Sequence, residues 1–314
     1  MTGRTVVITG ATSRIGEASA LALARAGADL VVIARDPAKA ARTAALVHEI
    51  PGAAPVRLVD GDLSSMAGVR RAAVGVAEVA DSIDVLLNNA GVFPVTSRVT
   101  VDGHEEMLAT NYLGPFLLTH LLLDRMGVTA PSRIVNVSST AHRFVWGFDP
   151  ERLERIEPYD GVARACAVYA RTKLLDVLMT DELARRLHGT GITANSVCPG
   201  TVGTSITRET ASPACIEVLT AVRAVRTPEV GARASVYLAS SAEVAGITGR
   251  FFASPALGRS SAPLRSPGRC RARRDPAIAR RAYERTCALL DVEPVAAPGR
   301  PVRDRDDVVV ATRG

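Results

Sequence analysis

Residues 5–16 read TVVITGATSRIG, and the reading of this stretch decides the fold. A β-branched run, Thr5–Thr9 (TVVIT), stops at Gly10, and an Ala-rich amphipathic stretch, EASALALARA, follows at 17–26. A glycine directly after a buried strand allows a tight turn. A helix starting there directs unpaired N–H groups and a partial positive charge outward, which suits a pyrophosphate. An ordinary strand-to-helix loop shares these features, so the surrounding chain must decide between them.

Outward from that turn the same alternation recurs. Candidate strands lie at 30–34 (LVVIA), 56–59, 85–88, 133–138 (RIVNVS) and 193–198, separated by helical patterns such as 173–188. Runs of four to six residues without polar alternation fit strands covered on both faces. The spacing predicts an α/β fold, a doubly wound parallel sheet of the Rossmann type in three layers, α/β/α. At roughly 150 residues per domain, 314 residues would give two domains. No second alternating series follows, so one dinucleotide-binding catalytic unit is expected over residues 1–255. Residues 256–314 form an Arg- and Pro-rich extension. Within it, 275–290 regains helical spacing, with Asp275 placed to cap and Pro276 in the first turn; the last twenty or so residues read as a loosely ordered tail.

The net charge of +6 belongs to the end of the chain. Residues 259–314 carry 13 Arg, no Lys and 7 acids, so the remainder is neutral and offers no face for nucleic acid. The five cysteines are odd in number and lack CxxC spacing, and the five histidines are scattered. Neither a disulfide framework nor a metal site is expected. No apolar run approaches the roughly 20 residues of a membrane span. The N-terminus enters a strand without a leader, so the cytoplasm is the expected location.

Tyr169 and Lys173 stand four apart and so share one helix face. Lys173 is one of only two lysines beside 36 arginines, which marks a position where an ammonium is preferred to a guanidinium. Upstream lie Asn136-Val137-Ser138-Ser139 and Thr110-Asn111-Tyr112-Leu113-Gly114, and downstream Pro199-Gly200-Thr201-Val202-Gly203-Thr204. In this order, with TGATSRIG and the Asn88-Asn89-Ala90-Gly91 segment, they resemble the short-chain dehydrogenase/reductase family over about four-fifths of the chain. The run 111–125, the segment 138–142, the C-terminal DPAIARRAYERTCALLDV and the long Ser139-to-Tyr169 gap resemble its retinol-dehydrogenase-like branch.

The resemblance implies an NAD(P)-dependent oxidoreductase that moves a hydride between a nicotinamide and a lipophilic ketone, aldehyde or secondary alcohol. Asn111, Ser139, Tyr169 and Lys173 would be catalytic. Tyr169 would be the acid/base, Ser139 would hydrogen-bond the substrate oxygen, and Lys173 would lower the phenol pKa and hold the ribose. Asn111 would hold a proton-relaying water. Cofactor contacts would come from Gly10, Thr12, Ser13, Arg14, Ile15, Gly16, Arg35, Asp62, Leu63, Asn89, Ala90, Gly91, Tyr169, Lys173, Pro199, Gly200, Val202 and Thr204. The family has its middle glycine where this chain has Arg14; that side chain either crowds the pyrophosphate or pairs with it. At the end of the second strand, Ala34 replaces the acid that would hold the 2′-hydroxyl of NAD, and Arg35 follows. That predicts NADP(H) over NAD(H), the alternative being that Arg35 pairs with Asp36 or solvent. A substrate wall is expected from 92–95, 142–148 and 204–225, where Trp146 and two Phe form either an aromatic lid or packing of the insertion. His142 has no partnering acid and is not expected to be catalytic. A homodimer paired through the helices around 111–125 and 169–188 is a further implication. Non-redox use of the site, as in dehydration or cyclisation, and a cofactor sensor without turnover are the rival readings.

Overall fold

Strand β1 (Thr5–Thr9) lies at the point where the sheet reverses direction. In the computed structural model, which describes residues 1–128, 131–200, 227–253 and 275–296, the chain first runs outward from β1 to β2 (Asp29–Ala34) and β3 (Arg57–Asp60). It then returns to the other side of β1 as β4 (Val85–Asn88), β5 (Ser132–Val137), β6 (Ile192–Cys198) and β7 (Phe251–Ala253). The order is β3-β2-β1-β4-β5-β6-β7 and every pair is parallel. In such sheets a ligand binds outside the carboxyl ends of the strands, where the order switches. Here that is between β1 and β4.

The helices explain the unbroken apolar strands. Val6 and Ile8 face a core shared with α1 (Arg14–Arg25) and α7 (Pro228–Ser240), whereas Val7 faces α3 (Met66–Val79), α5 (Gly114–Leu122) and α6 (Val162–Arg186). Side chains alternate along the strand, but both faces are dry, so both sets are apolar. Helix α2 (Pro37–His48) is capped by Asp36, whose carboxylate accepts from the Ala38 and Lys39 N–H groups at 3.1 Å. The short α4 (Glu106–Leu108) passes through a π turn, Ala109–Leu113, into α5.

Two elements differ from expectation. Strand β7 was not anticipated: it is three residues long and sits at the sheet edge, too short to show a pattern. Helix α6 starts eleven residues before 173, so Tyr169 lies in its interior and not at its start. Residues 161–164 are exposed, so the first turn shows no apolar stripe to read.

The helix expected at 275–290 is α8 (Pro276–Leu290), with the Asp275 carboxylate accepting from Ala277 N at 2.9 Å. It completes the core beside α5 and α6. Tyr283 is fully buried, its hydroxyl 2.7 Å from His120 Nε2 and its ring beneath the Arg186 guanidinium. Thr286 meets the Tyr112 hydroxyl at 2.7 Å. Helix α8 therefore stands on the helix pair where subunit contact was expected. Among the described residues no helix is long and apolar enough to cross a membrane.

Candidate active site

The turn after β1 is built by exclusion of side chains. Gly10 has φ +69, and a Cβ there would meet Ala90 Cα at 2.8 Å. At Gly16 it would strike the Gly10 carbonyl and come within 2.5 Å of Asn89 Nδ2. Asn89 occupies that side, donating from Nδ2 to the carbonyls of Thr9 (3.0 Å) and Gly10 (3.2 Å) while its own N–H reaches Thr9 Oγ1. The Asn89-Ala90-Gly91 segment thus holds the turn shut against α1. Ser13 precedes α1 without a side-chain cap, which leaves first-turn N–H groups for an anion. Thr12 and Ile15 flank it, partly buried.

Arg14 has φ +23, a conformation that side-chain-bearing residues rarely adopt, at the position where the family carries glycine. Strain of this kind costs on the order of 1–3 kcal/mol. Arg14→Gly is therefore expected to stabilise the fold by about 1 kcal/mol net of added unfolded-chain entropy, measured by denaturant unfolding. An unchanged or lower midpoint would show that the side chain of Arg14 repays its backbone cost.

At the end of β2, Arg35 is exposed. The Asp36 carboxylate is engaged by the α2 N-terminus and by Lys39 Nζ at 3.2 Å, so it is not the partner of Arg35. Asp62 turns back on itself, accepting from Ser64 N and Oγ, and Leu63 is buried under Gly114.

The catalytic candidates come together at the carboxyl end of β5. The two serines separate there. Ser138 is buried and donates to the Lys173 carbonyl at 2.8 Å, tying β5 to α6. Ser139 lies instead on the Tyr169 side, where its hydroxyl favours the ionised phenol. His142 is buried against Phe251, and its Nδ1–H donates to the Ser139 carbonyl at 2.6 Å, so it holds the serine in place. The Tyr169 ring meets Phe93 edge-on at 5.2 Å, and Lys173 Nζ lies 5.7 Å from the ring centre. Gly91 completes the wall: a Cβ there would lie 3.9 Å from Lys173 Nζ and 3.4 Å from Asn111 Oδ1.

Asn111 sits in the π turn, a feature common at functional sites. Its amide accepts from Val92 N (2.7 Å), donates to Val92 O (3.0 Å) and reaches Thr172 Oγ1 (3.3 Å). The side chain therefore braces the 92 segment against α6. Lys173 is almost fully buried and donates to Val137 O and to Asp176 Oδ2, both at 2.9 Å. Burial raises the Tyr169 phenol above its ordinary pKa, with Lys173 and Ser139 pulling it back down. Burial opposes the Lys173 charge, but the Asp176 carboxylate overcomes it and holds the ammonium above its usual value. Burial lifts Asp176 itself to about 6. A phenol kept protonated beside a hydroxyl and an ammonium can give a proton to an oxygen placed between them.

Pro199 is buried, and Gly200 follows at φ +83 with its N–H on Cys198 Sγ. Val202, Thr204 and the substrate stretch 204–225 lie outside the described residues. The insertion divides between its two readings. Val145 and Phe148 pack on the core, whereas Phe144 and Trp146 are 77% and 78% exposed. A cavity of about 710 Å³ lies at the other end of the sheet, lined by Arg4, Asp84, Arg133 and His188, away from Tyr169. Sequence reasoning missed Asp176 and Thr172. The only available signal for Asp176 was an acid inside the apolar run LLDVLM.

The model of the short chain dehydrogenase family matches residues 4–148. The chain is 34% identical to human retinol dehydrogenase 13 over 96% of its length and 88% of that protein. It is 37% identical to human retinol dehydrogenase 14, over 80% of this chain and 78% of the relative. Among solved structures, an uncharacterized Mycobacterium paratuberculosis protein superposes with a TM-score of 0.71 at 32% identity, covering 93% of this chain and 95% of that one. A Pseudomonas aeruginosa RhlG/NADP active-site complex gives 0.65 at 27% identity, over 81% and 95%.

Proposed function

Since the chain belongs to the retinol-dehydrogenase-like branch of the short-chain dehydrogenase/reductases and is an oxidoreductase of alcohols and carbonyls, we propose that it interconverts lipophilic ketones or aldehydes and their alcohols using NADP(H), with Tyr169 exchanging the proton. The observation that carries this reading is the convergence of Tyr169, Ser139 and Lys173 at the same end of the sheet as the glycine turn.

The residues present fit a dinucleotide. Gly10, Gly16 and the uncapped α1 leave room and donors for the diphosphate, and Gly91 leaves space beside Lys173. A bound nicotinamide supplies or accepts the hydride. In reduction, Tyr169 gives its proton to the substrate oxygen while the Ser139 hydroxyl donates to the same oxygen as charge develops on it. In oxidation Tyr169 takes the proton back. Lys173 sets the electrostatic balance, and the open space at Gly91 beside its ammonium would leave it free to hold a bound ribose. Asn111 fixes the 92 segment, and so Phe93 against the phenol; a water relay from Lys173 beside it requires the amide to exchange a Val92 partner. The retinol named for the relatives is a long apolar alcohol, which supports a lipophilic substrate.

The test is NADPH oxidation across a panel of lipophilic ketones, aldehydes and quinones, with NADH in parallel. Turnover with none of them sinks the oxidoreductase assignment of this site. Exposed Arg35 and the lack of an acid at Ala34 support the 2′-phosphate preference. Arg35→Ala is expected to weaken NADPH by about 10- to 100-fold, the loss of one charge-assisted hydrogen bond of roughly 1.5–3 kcal/mol. NADH should change by no more than about twofold, because it lacks the phosphate. Equal losses in fluorescence titrations would remove Arg35 from cofactor selection.

A further inference from the structure

Lys173 does not face the Tyr169 phenol as a lone cation. One helical turn further along α6, away from the phenol, the Asp176 carboxylate binds its ammonium at 2.9 Å, and both side chains are about 95% buried. The Val137 carbonyl takes a second proton of the ammonium, so two of its three donors are already engaged. An exposed lysine–acid pair at this spacing would contribute little. Here water is excluded, so the carboxylate changes how much positive charge reaches the phenol.

We infer that Asp176 is a positioning residue that anchors Lys173 and, by neutralising it, keeps Tyr169 in its proton-bearing form, biasing the site toward carbonyl reduction. This rests on Tyr169 being the acid of the proposed reaction. The logic is electrostatic. Carbonyl reduction needs the phenol protonated, and alcohol oxidation needs it ionised. A bare ammonium favours the phenolate, whereas an ammonium paired with a carboxylate favours it much less. Asp176 is protonated below its pKa of about 6 and ionised above it, so the pair is formed through the neutral range. The other titratable groups facing the pair are Tyr112 from the π turn, which burial keeps protonated, and Cys198 from the end of β6.

Asp176→Asn separates charge from position, since the amide oxygen still accepts from Nζ. In the holoenzyme, the pH limb of kcat/KM for alcohol oxidation should move down by about one unit, the scale of a single close charge. KM for the cofactor should stay near the wild-type value. An unmoved limb overturns the inference, as does a shift that disappears when Cys198→Ser is added. A second readout needs no turnover. The chain has only two lysines, so lysine labelled at Cε gives two NMR signals, assigned with Lys39→Arg. The Lys173 signal should titrate near pH 6 in the wild type and not in Asp176→Asn; a flat wild-type signal overturns the coupling. If Tyr169→Phe proves active, the acid assignment fails on its own, while the lysine titration still decides whether Asp176 controls Lys173.

Discussion

Tyr169→Phe should cut turnover by about 10²–10⁴-fold, the usual contribution of a positioned general acid. Cofactor dissociation should barely change. The substitution removes one oxygen and leaves the ring, whose edge contact with Phe93 at 5.2 Å fixes the side chain. Ser139, the nearby hydroxyl, accepts from Ala141 N at 3.2 Å and stays held without the phenol oxygen. Stability should therefore change by no more than about 1 kcal/mol, the net worth of one hydrogen bond. Three measurements on one preparation decide it: single-turnover rate, cofactor titration and thermal midpoint. Full activity would remove Tyr169 as the acid. A collapse of binding together with turnover would mean that the hydroxyl builds the pocket instead of acting in it.

What was legible in the sequence follows from how many physical constraints act on each segment. At β1 and the turn, a dry strand, a positive φ at Gly10 and the absence of room at Gly16 all restrict residue choice, so the stretch could be read directly. The paired serines could not be told apart from composition. Their roles depend on which one faces the α6 backbone, and only the fold shows that Ser138 does. Asp176 illustrates the opposite failure. An acid three residues after a lysine on a helix ordinarily reads as a solvated pair, and only burial among Leu174, Leu175 and Val177 makes it consequential. The start of α6 was invisible because its first residues face water. Around Trp146, aromatic content predicted burial or a lid, yet aromatic composition alone does not decide which rings pack, and here Phe148 does while Trp146 does not.

Among the glycines whose surroundings are described, Gly16→Ala should be the most damaging alanine substitution. A methyl group there would overlap the Gly10 carbonyl and approach Asn89 Nδ2 at 2.5 Å. Neither neighbour can yield cheaply. Gly10 is fixed by its own close approach to Ala90, and Asn89 is pinned by Thr9 and Gly10. Relief requires α1 to move off β1, although Ala20, Leu23 and Ala24 bury that contact completely or nearly so. Overpacking of this kind costs about 1–3 kcal/mol. The same movement would turn the α1 N-terminus away from a diphosphate, so NADPH affinity should fall by well over about tenfold, that is, more than 1.4 kcal/mol. Gly52→Ala supplies the comparison: its φ is +75 but a Cβ there meets nothing, so it carries backbone strain alone. It should lower stability by about 1 kcal/mol and leave NADPH binding untouched. If Gly16→Ala binds NADPH as tightly as Gly52→Ala does, the turn between β1 and α1 is not where the diphosphate sits, and the cofactor must lie elsewhere along the sheet.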